Sequence, residues 1–156
     1  MITFITALYP EARTLIAKLN LKQQPAETFY QLFEGEKHRL IITGAGSIAA
    51  AMAASRHFAN YPVQNVSDIV VNFGVAGYAP GQNTTLETPH IGDLFLASRL
   101  TEQSTGRTFY PDLLYRHAFR LLPVTTTPVI YTDASFFSEE SLIDMEASAQ
   151  IGRAHV

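Results

Sequence analysis

Asp68-Ile69-Val70-Val71-Asn72-Phe73-Gly74-Val75-Ala76-Gly77 is the stretch on which the reading of the fold turns. Its first six residues are a nearly continuous apolar run, the pattern of a central strand covered on both faces. The small residues that follow end the strand and let a ligand approach the backbone at the carboxyl edge of a sheet. The same residues would also make a plain strand-ending turn, so the stretch indicates an architecture and leaves the chemistry open.

Working outward, further strand-length runs alternate with segments of helical period. Ile2 to Leu8 is β-branched and reads as a buried first strand, stopped by Pro10, which suits the first turn of a helix. Leu15, Ile16 and Leu19 give that helix an apolar face. Thr28 to Phe33 and Arg39 to Thr43 pair as strands around Glu34-Gly35-Glu36-Lys37, and Ala-rich Ser47 to Phe58 is helical. Beyond the central run, Asp93 to Leu100 and Pro128 to Tyr131 read as strands. Gly81 to Pro89 and Thr101 to Asp112 read as long connections, where ligand contacts often lie. The order predicts an α/β layer with a mixed sheet.

The chain has 156 residues, 47% of them hydrophobic and 16% charged. That length suits one globular domain burying roughly 70% of its unfolded surface, and excludes disorder as the main state. A net charge of −3 argues against a nucleic-acid partner, which needs clustered Lys and Arg. No segment reaches the ~18 apolar residues of a spanning helix, so no membrane partner is expected. The absence of Cys removes disulfides, thiolate metal sites and a Cys nucleophile, and fits a cytoplasmic setting.

Metal chemistry has little support, because His38, His57, His90, His117 and His155 are scattered without ligand spacing. They read as surface or half-buried residues, and no cofactor is expected. No GxSxG elbow supports a serine hydrolase. Gly44-Ala45-Gly46-Ser47-Ile48-Ala49 formally fits the dinucleotide fingerprint, but Asp68, the acid at the right spacing, stands at the start of its strand, the wrong edge. A tight turn with close helix packing, or Gly44 and Gly46 lining an anion or sugar site through backbone N–H groups, remain open. Two carboxylates complete the candidates. Glu11 lies at a helix start just past the first strand, and Glu146 in Ile143-Asp144-Met145-Glu146-Ala147-Ser148.

Together these pieces resemble the nucleoside phosphorylase superfamily, in its nucleosidase branch of methylthioadenosine/S-adenosylhomocysteine nucleosidases. The matching motifs are Thr6-Ala7-Leu8-Tyr9-Pro10-Glu11, Thr43-Gly44-Ala45-Gly46-Ser47, Asn72-Phe73-Gly74-Val75-Ala76-Gly77, Ile91-Gly92-Asp93 and Asp144-Met145-Glu146-Ala147. The resemblance implies a mixed, strongly twisted sheet closing into a distorted barrel flanked by helices. It implies cleavage of a purine N-glycosidic bond through an oxocarbenium-like transition state. Glu11 would deprotonate the attacking water. Glu146 would bind the ribose hydroxyls and stabilise the cationic sugar, with Met145 packed beneath. Ala76 and Gly77 would line the pocket and Phe136 or Phe137 would stack on the base, while Val75 stands where the family has Ser. Phosphorolysis is the alternative, with phosphate as a partner. No Arg precedes the glycine loop after the central run, which favours water, although Arg13 and Arg107 keep phosphate in play. A non-catalytic nucleotide-binding module is the second alternative. The resemblance also implies a homo-oligomer, in which Phe109 or Tyr110 could reach a neighbour's pocket.

In the family a further strand beyond the Met-Glu motif carries the general-acid Asp, and a helix follows it. Here Ile151-Gly152-Arg153-Ala154-His155-Val156 resembles one reading frame of a sequencing adapter (ATC GGA AGA GCA CAC GTC). Residues 1–150 are therefore expected to be a partial domain that is incomplete at its C-terminus, and 151–156 a non-native tail. Lost acid assistance would cost typically 10²–10⁴-fold, and uncovered apolar surface would make the chain prone to aggregate. An independently cloned gene should diverge from this sequence after Gln150. A stop codon directly after Val156 would refute the reading.

Overall fold

The computed structural model describes residues 1–25, 29–63, 65, 67–82, 87–113, 116–130 and 137–154. The chain divides into two compact units, Met1–Val75 with Ala149–Val156, and Ala76–Ser148.

The first unit contains β1 (Ile2–Thr6), α1 (Tyr9–Lys18), β2 (Lys22–Gln23), β3 (Gln31–Glu34), β4 (His38–Ile42), α2 (Ser47–Asn60) and β5 (Ile69–Asn72). Its sheet runs β2-β3-β4-β1-β5, with β1 parallel to both neighbours and β3–β4 an antiparallel hairpin. Alternation along the strands sends side chains to two cores. Ile5, Ile41 and Leu32 pack on Ala53 of α2, with Val70 and Phe58 against them. Leu40, Ile42 and Phe33 pack on Ala12 of α1, with Phe4, Leu15, Ile16 and Leu19 alongside. Helices therefore cover both faces of β1 and β4. The central positions belong to those strands and not to β5, which among the described residues pairs with β1 alone and has four half-buried residues. A continuous apolar run reports covered faces, not neighbouring strands, and that is why the expectation of a central strand at 68–73 was misplaced.

The second unit contains β6 (Gly77–Ala79), β7 (Phe95–Glu102), β8 (Thr108–Phe109), β9 (Arg120–Thr126) and β10 (Ser141–Asp144), in the order β6-β10-β9-β7-β8. The ladders β7–β9 and β9–β10 are parallel, and both edges are antiparallel. The start of β10 is anchored by Arg99 on Glu139 and by Arg120 and Tyr78 on Glu140. Burial and the hydrogen bond to Glu140 raise the Tyr78 phenol above its ordinary range. Helix α3 (Ala147–Ala154) follows β10.

Several sequence expectations change here. Thr101 to Asp112 is not a structureless connection, because it contains the β7–β8 hairpin. Pro128 to Ile130 is exposed and not a strand, and Tyr131 lies outside the described residues. The strand is upstream, in β9, where Pro123 sits despite lacking an N–H. The register slips there, with Ala97 opposite Leu122 and Leu100 opposite Val124, so a bulge in β7 faces the proline. The two sheets are open, and no ladder closes a barrel among the described residues. No helix among those residues is long and apolar enough to cross a membrane.

His57 is also not a surface or half-buried histidine. It is fully buried on α2, on the stripe of Ala50, Ala53 and Ala54. Its Nδ1 lies 3.3 Å from the Tyr30 hydroxyl, and its Nε2 has no partner among the described residues. The ring stacks on Tyr61, over which the Arg39 guanidinium sits at 4.0 Å. Burial, then the Arg39 charge, pushes its pKa down to about 4. The unfolded chain thus binds a proton between pH 6.5 and 4 that the folded chain refuses, and stability falls as pH drops through that window. Urea unfolding should show a loss of about 2 kcal/mol between pH 7.5 and 5. His57→Phe should abolish that component, and an unchanged slope in the variant would refute the assignment.

Candidate active site

In the first unit, three chain segments leave the carboxyl ends of the parallel strands β1, β4 and β5. That edge is where ligands bind in open α/β sheets. After β1, Leu8 is extended (φ −127°, ψ 149°) and caps α1, with Pro10 in the first turn and Glu11 beside it. Leu8 has no side-chain acceptor, so the cap works in reverse. The Glu11 Oε2 accepts the N–H groups of Ala7 at 3.0 Å and Leu8 at 2.9 Å. Its Oε1 accepts the Val75 N–H at 3.1 Å, from the segment after β5. Gly74 permits that approach, since a Cβ there would lie 3.2 Å from Oε1. A carboxylate offers roughly four acceptor positions. Three bonds therefore fix Glu11 and leave one direction for a water or a substrate hydroxyl.

The turn after β4 joins the same edge. Gly44 (φ 86°) and Gly46 (φ 91°) both adopt the left-handed conformation that side chains disfavour. Gly44 N–H donates to the Ala7 carbonyl at 3.0 Å, and Thr43 N–H to Thr6 at 2.9 Å. Gln150, almost fully buried, donates its Nε2 to the Thr43 hydroxyl at 3.4 Å. Asp68, the acid a dinucleotide reading would need, instead pairs with the terminal ammonium of Met1 at 2.8 Å. Arg13 is exposed on α1, and Arg107 lies over Phe109 at 5.3 Å.

The second unit carries the other candidates. Gly77 pairs with Ile143, so Ala76 and Gly77 stand beside the end of β10 from which Met145 and Glu146 emerge, both half-buried. Phe137 is buried four residues ahead of β10, and Phe136 lies outside the described residues. Asp144, to which sequence reasoning gave no role, accepts the Glu146 and Ala147 N–H groups and the Thr126 hydroxyl. An acid shortly before a helix start was a visible capping signal, but its partner Thr126 has no local signature. The structure thus brings Glu11, Gly44 and Gly46 together at one edge, and Ala76, Gly77, Met145 and Glu146 at another. Among the described residues no group of three His, Asp or Glu side chains could hold a metal ion.

The fold has known counterparts. An S-adenosylhomocysteine nucleosidase from Streptococcus pyogenes superposes with a TM-score of 0.76 at 20% identity, covering 99% of this chain and 77% of that one. A 5′-methylthioadenosine/S-adenosylhomocysteine nucleosidase from Neisseria meningitidis gives 0.76 at 18%, with 99% and 79% covered. A futalosine hydrolase mutant from Helicobacter pylori gives 0.76 at 11%, with 99% and 82% covered. No protein-family model and no curated protein sequence matches the chain. The chain therefore has the mixed α/β fold of these nucleosidases and of this futalosine hydrolase.

Replacing Glu11 by Ala leaves three backbone donors without their charged acceptor. It should lower unfolding stability by about 2 kcal/mol, with Gln losing less. Urea denaturation of Glu11→Ala with an unchanged midpoint would contradict the three-bond clamp.

Proposed function

We propose that this protein hydrolyses the N-glycosidic bond of purine nucleosides. Glu11 takes a proton from the attacking water as its oxygen bonds to the anomeric carbon, while the glycosidic C–N bond breaks and the purine leaves with the bonding electrons and is protonated by solvent. Glu146 holds the ribose hydroxyls and stabilises the cationic sugar, over Met145. Ala76 and Gly77, with the turn at Gly44 and Gly46, line the substrate, and Phe136 or Phe137 faces the base. Two carboxylates serving an oxocarbenium-like sugar follow the logic of glycoside hydrolysis.

The observation that carries this reading is the Glu11 carboxylate, pinned by three backbone N–H groups at a strand carboxyl edge with one acceptor direction left. The fold shared with hydrolytic nucleosidases supports water as nucleophile. So does the lack of Arg or Lys in both glycine turns, where a phosphate would need one. The absence of cysteine supports a cytoplasmic setting, and the protein is expected to act as a homo-oligomer.

Incubation with 5′-methylthioadenosine, S-adenosylhomocysteine, adenosine, inosine and futalosine should release free base without phosphate. Folded Glu146→Ala should lose that release. Dependence on phosphate would make the protein a phosphorylase instead. Nucleotide binding with no cleavage of any of the five would make it a non-catalytic module.

A further inference from the structure

We propose that Asp144 is a positioning residue for Glu146, held in turn by Thr126. This rests on the reading of Glu146 as the sugar-binding carboxylate. The two peptide groups that flank the Glu146 Cα are both bonded to one oxygen. Asp144 Oδ2 accepts the N–H of Glu146 at 3.2 Å and the N–H of Ala147 at 2.5 Å. The other oxygen, Oδ1, accepts the Thr126 hydroxyl at 2.7 Å, and Thr126 Oγ1 accepts the Ser148 N–H at 3.0 Å. Three consecutive N–H groups at the start of α3, which a helix itself leaves unpaired, thus end on one carboxylate–hydroxyl pair.

Register supplies the rest of the clamp. Asp144 and Thr126 are direct partners across the parallel β9–β10 ladder, so their side chains leave the sheet together. The next residue, Thr127, donates its N–H to the Asp144 carbonyl at 2.8 Å. Thr126, Thr127, Ala147 and Ser148 are all buried, which shields these bonds from competing water. Glu146 therefore projects from a turn whose backbone is tied on both sides to a sheet, and the position of its Cα is set by β9 as well as by its own strand.

A helix cap alone would matter for stability only. A positioning role predicts a displaced carboxylate and a slower chemical step. Crystal structures of Asp144→Ala should show the Glu146 carboxylate moved by about 1 Å or more, and kcat for adenine release from 5′-methylthioadenosine should fall about a hundredfold. Asp144→Asn keeps one oxygen for both N–H groups and an amide facing Thr126, so it should leave Glu146 in place and regain most of the rate. Thr126→Val, close in shape, removes the hydroxyl's bonds to Asp144 and from the Ser148 N–H and should lower the rate by about tenfold or more; it carries the test if Asp144→Ala does not fold. An unmoved Glu146 in either variant, or Asp144→Asn as impaired as Asp144→Ala, would overturn the proposal. Glu146→Ala with undiminished adenine release would instead remove the sugar-binding reading, and the crystallographic displacement would still decide the positioning by itself.

Discussion

Three backbone N–H groups converging on the Glu11 carboxylate are the interaction on which the first unit's site depends. Two of them come from the turn that ends β1, and the third from the segment that ends β5. Because β1 is parallel to both β4 and β5, all three strands release their chains at one edge. The carboxylate bridges two of these exits where residue 74 is a glycine; a Cβ there would crowd Oε1 at 3.2 Å. The third exit, at Gly44, is tied to the same turn through the Ala7 carbonyl. A charged acceptor shared by fixed donors loses little on reorganisation.

The second unit repeats the device with different parts. There too an acid at a strand-to-helix junction collects backbone N–H groups, but Asp144 stands two residues before the carboxylate assigned to substrate. Under the proposed function, the holding group and the reacting group at Glu11 are one side chain. Around Glu146 the same proposal divides the two tasks, with Glu146 given to substrate while Asp144 and Thr126 bond its backbone and that of the next residue.

The N-terminal half was legible because its signals are local. Pro10 in the first helical turn, the Glu34–Lys37 hairpin closed by the Gly35 to His38 bond, and the Ala-rich period of α2 all sit where the residues predict. In the C-terminal half the strand expected at Asp93 to Leu100 was legible and is β7, but the other strands break local rules. Pro123 demotes β9 on any propensity reading, and only the opposing bulge in β7 makes room for it. β6 and β8 are three and two residues long, and β10 begins with Ser and ends with Asp. His57 was missed for a different reason. Its spacing from Ala50, Ala53 and Ala54 placed it on the buried stripe, but residue type outweighed period in the reading. Asp144 and Thr126 are 18 residues apart, and no local pattern links them.

Val75 shows how little this geometry asks of particular side chains. The resembled family carries Ser at this position, and a lost hydroxyl would seem to remove a contact. The bond to Glu11, however, is made by the Val75 main chain, and its side chain is 79% exposed. Any residue but proline supplies that donor. The same holds at Ala7, Leu8 and Ala147, whose side chains have no hydrogen-bonding atom, yet each gives an N–H to a carboxylate. The side chains the geometry requires are therefore few: two acids that accept, a hydroxyl behind one of them, and a glycine that lets the other reach across.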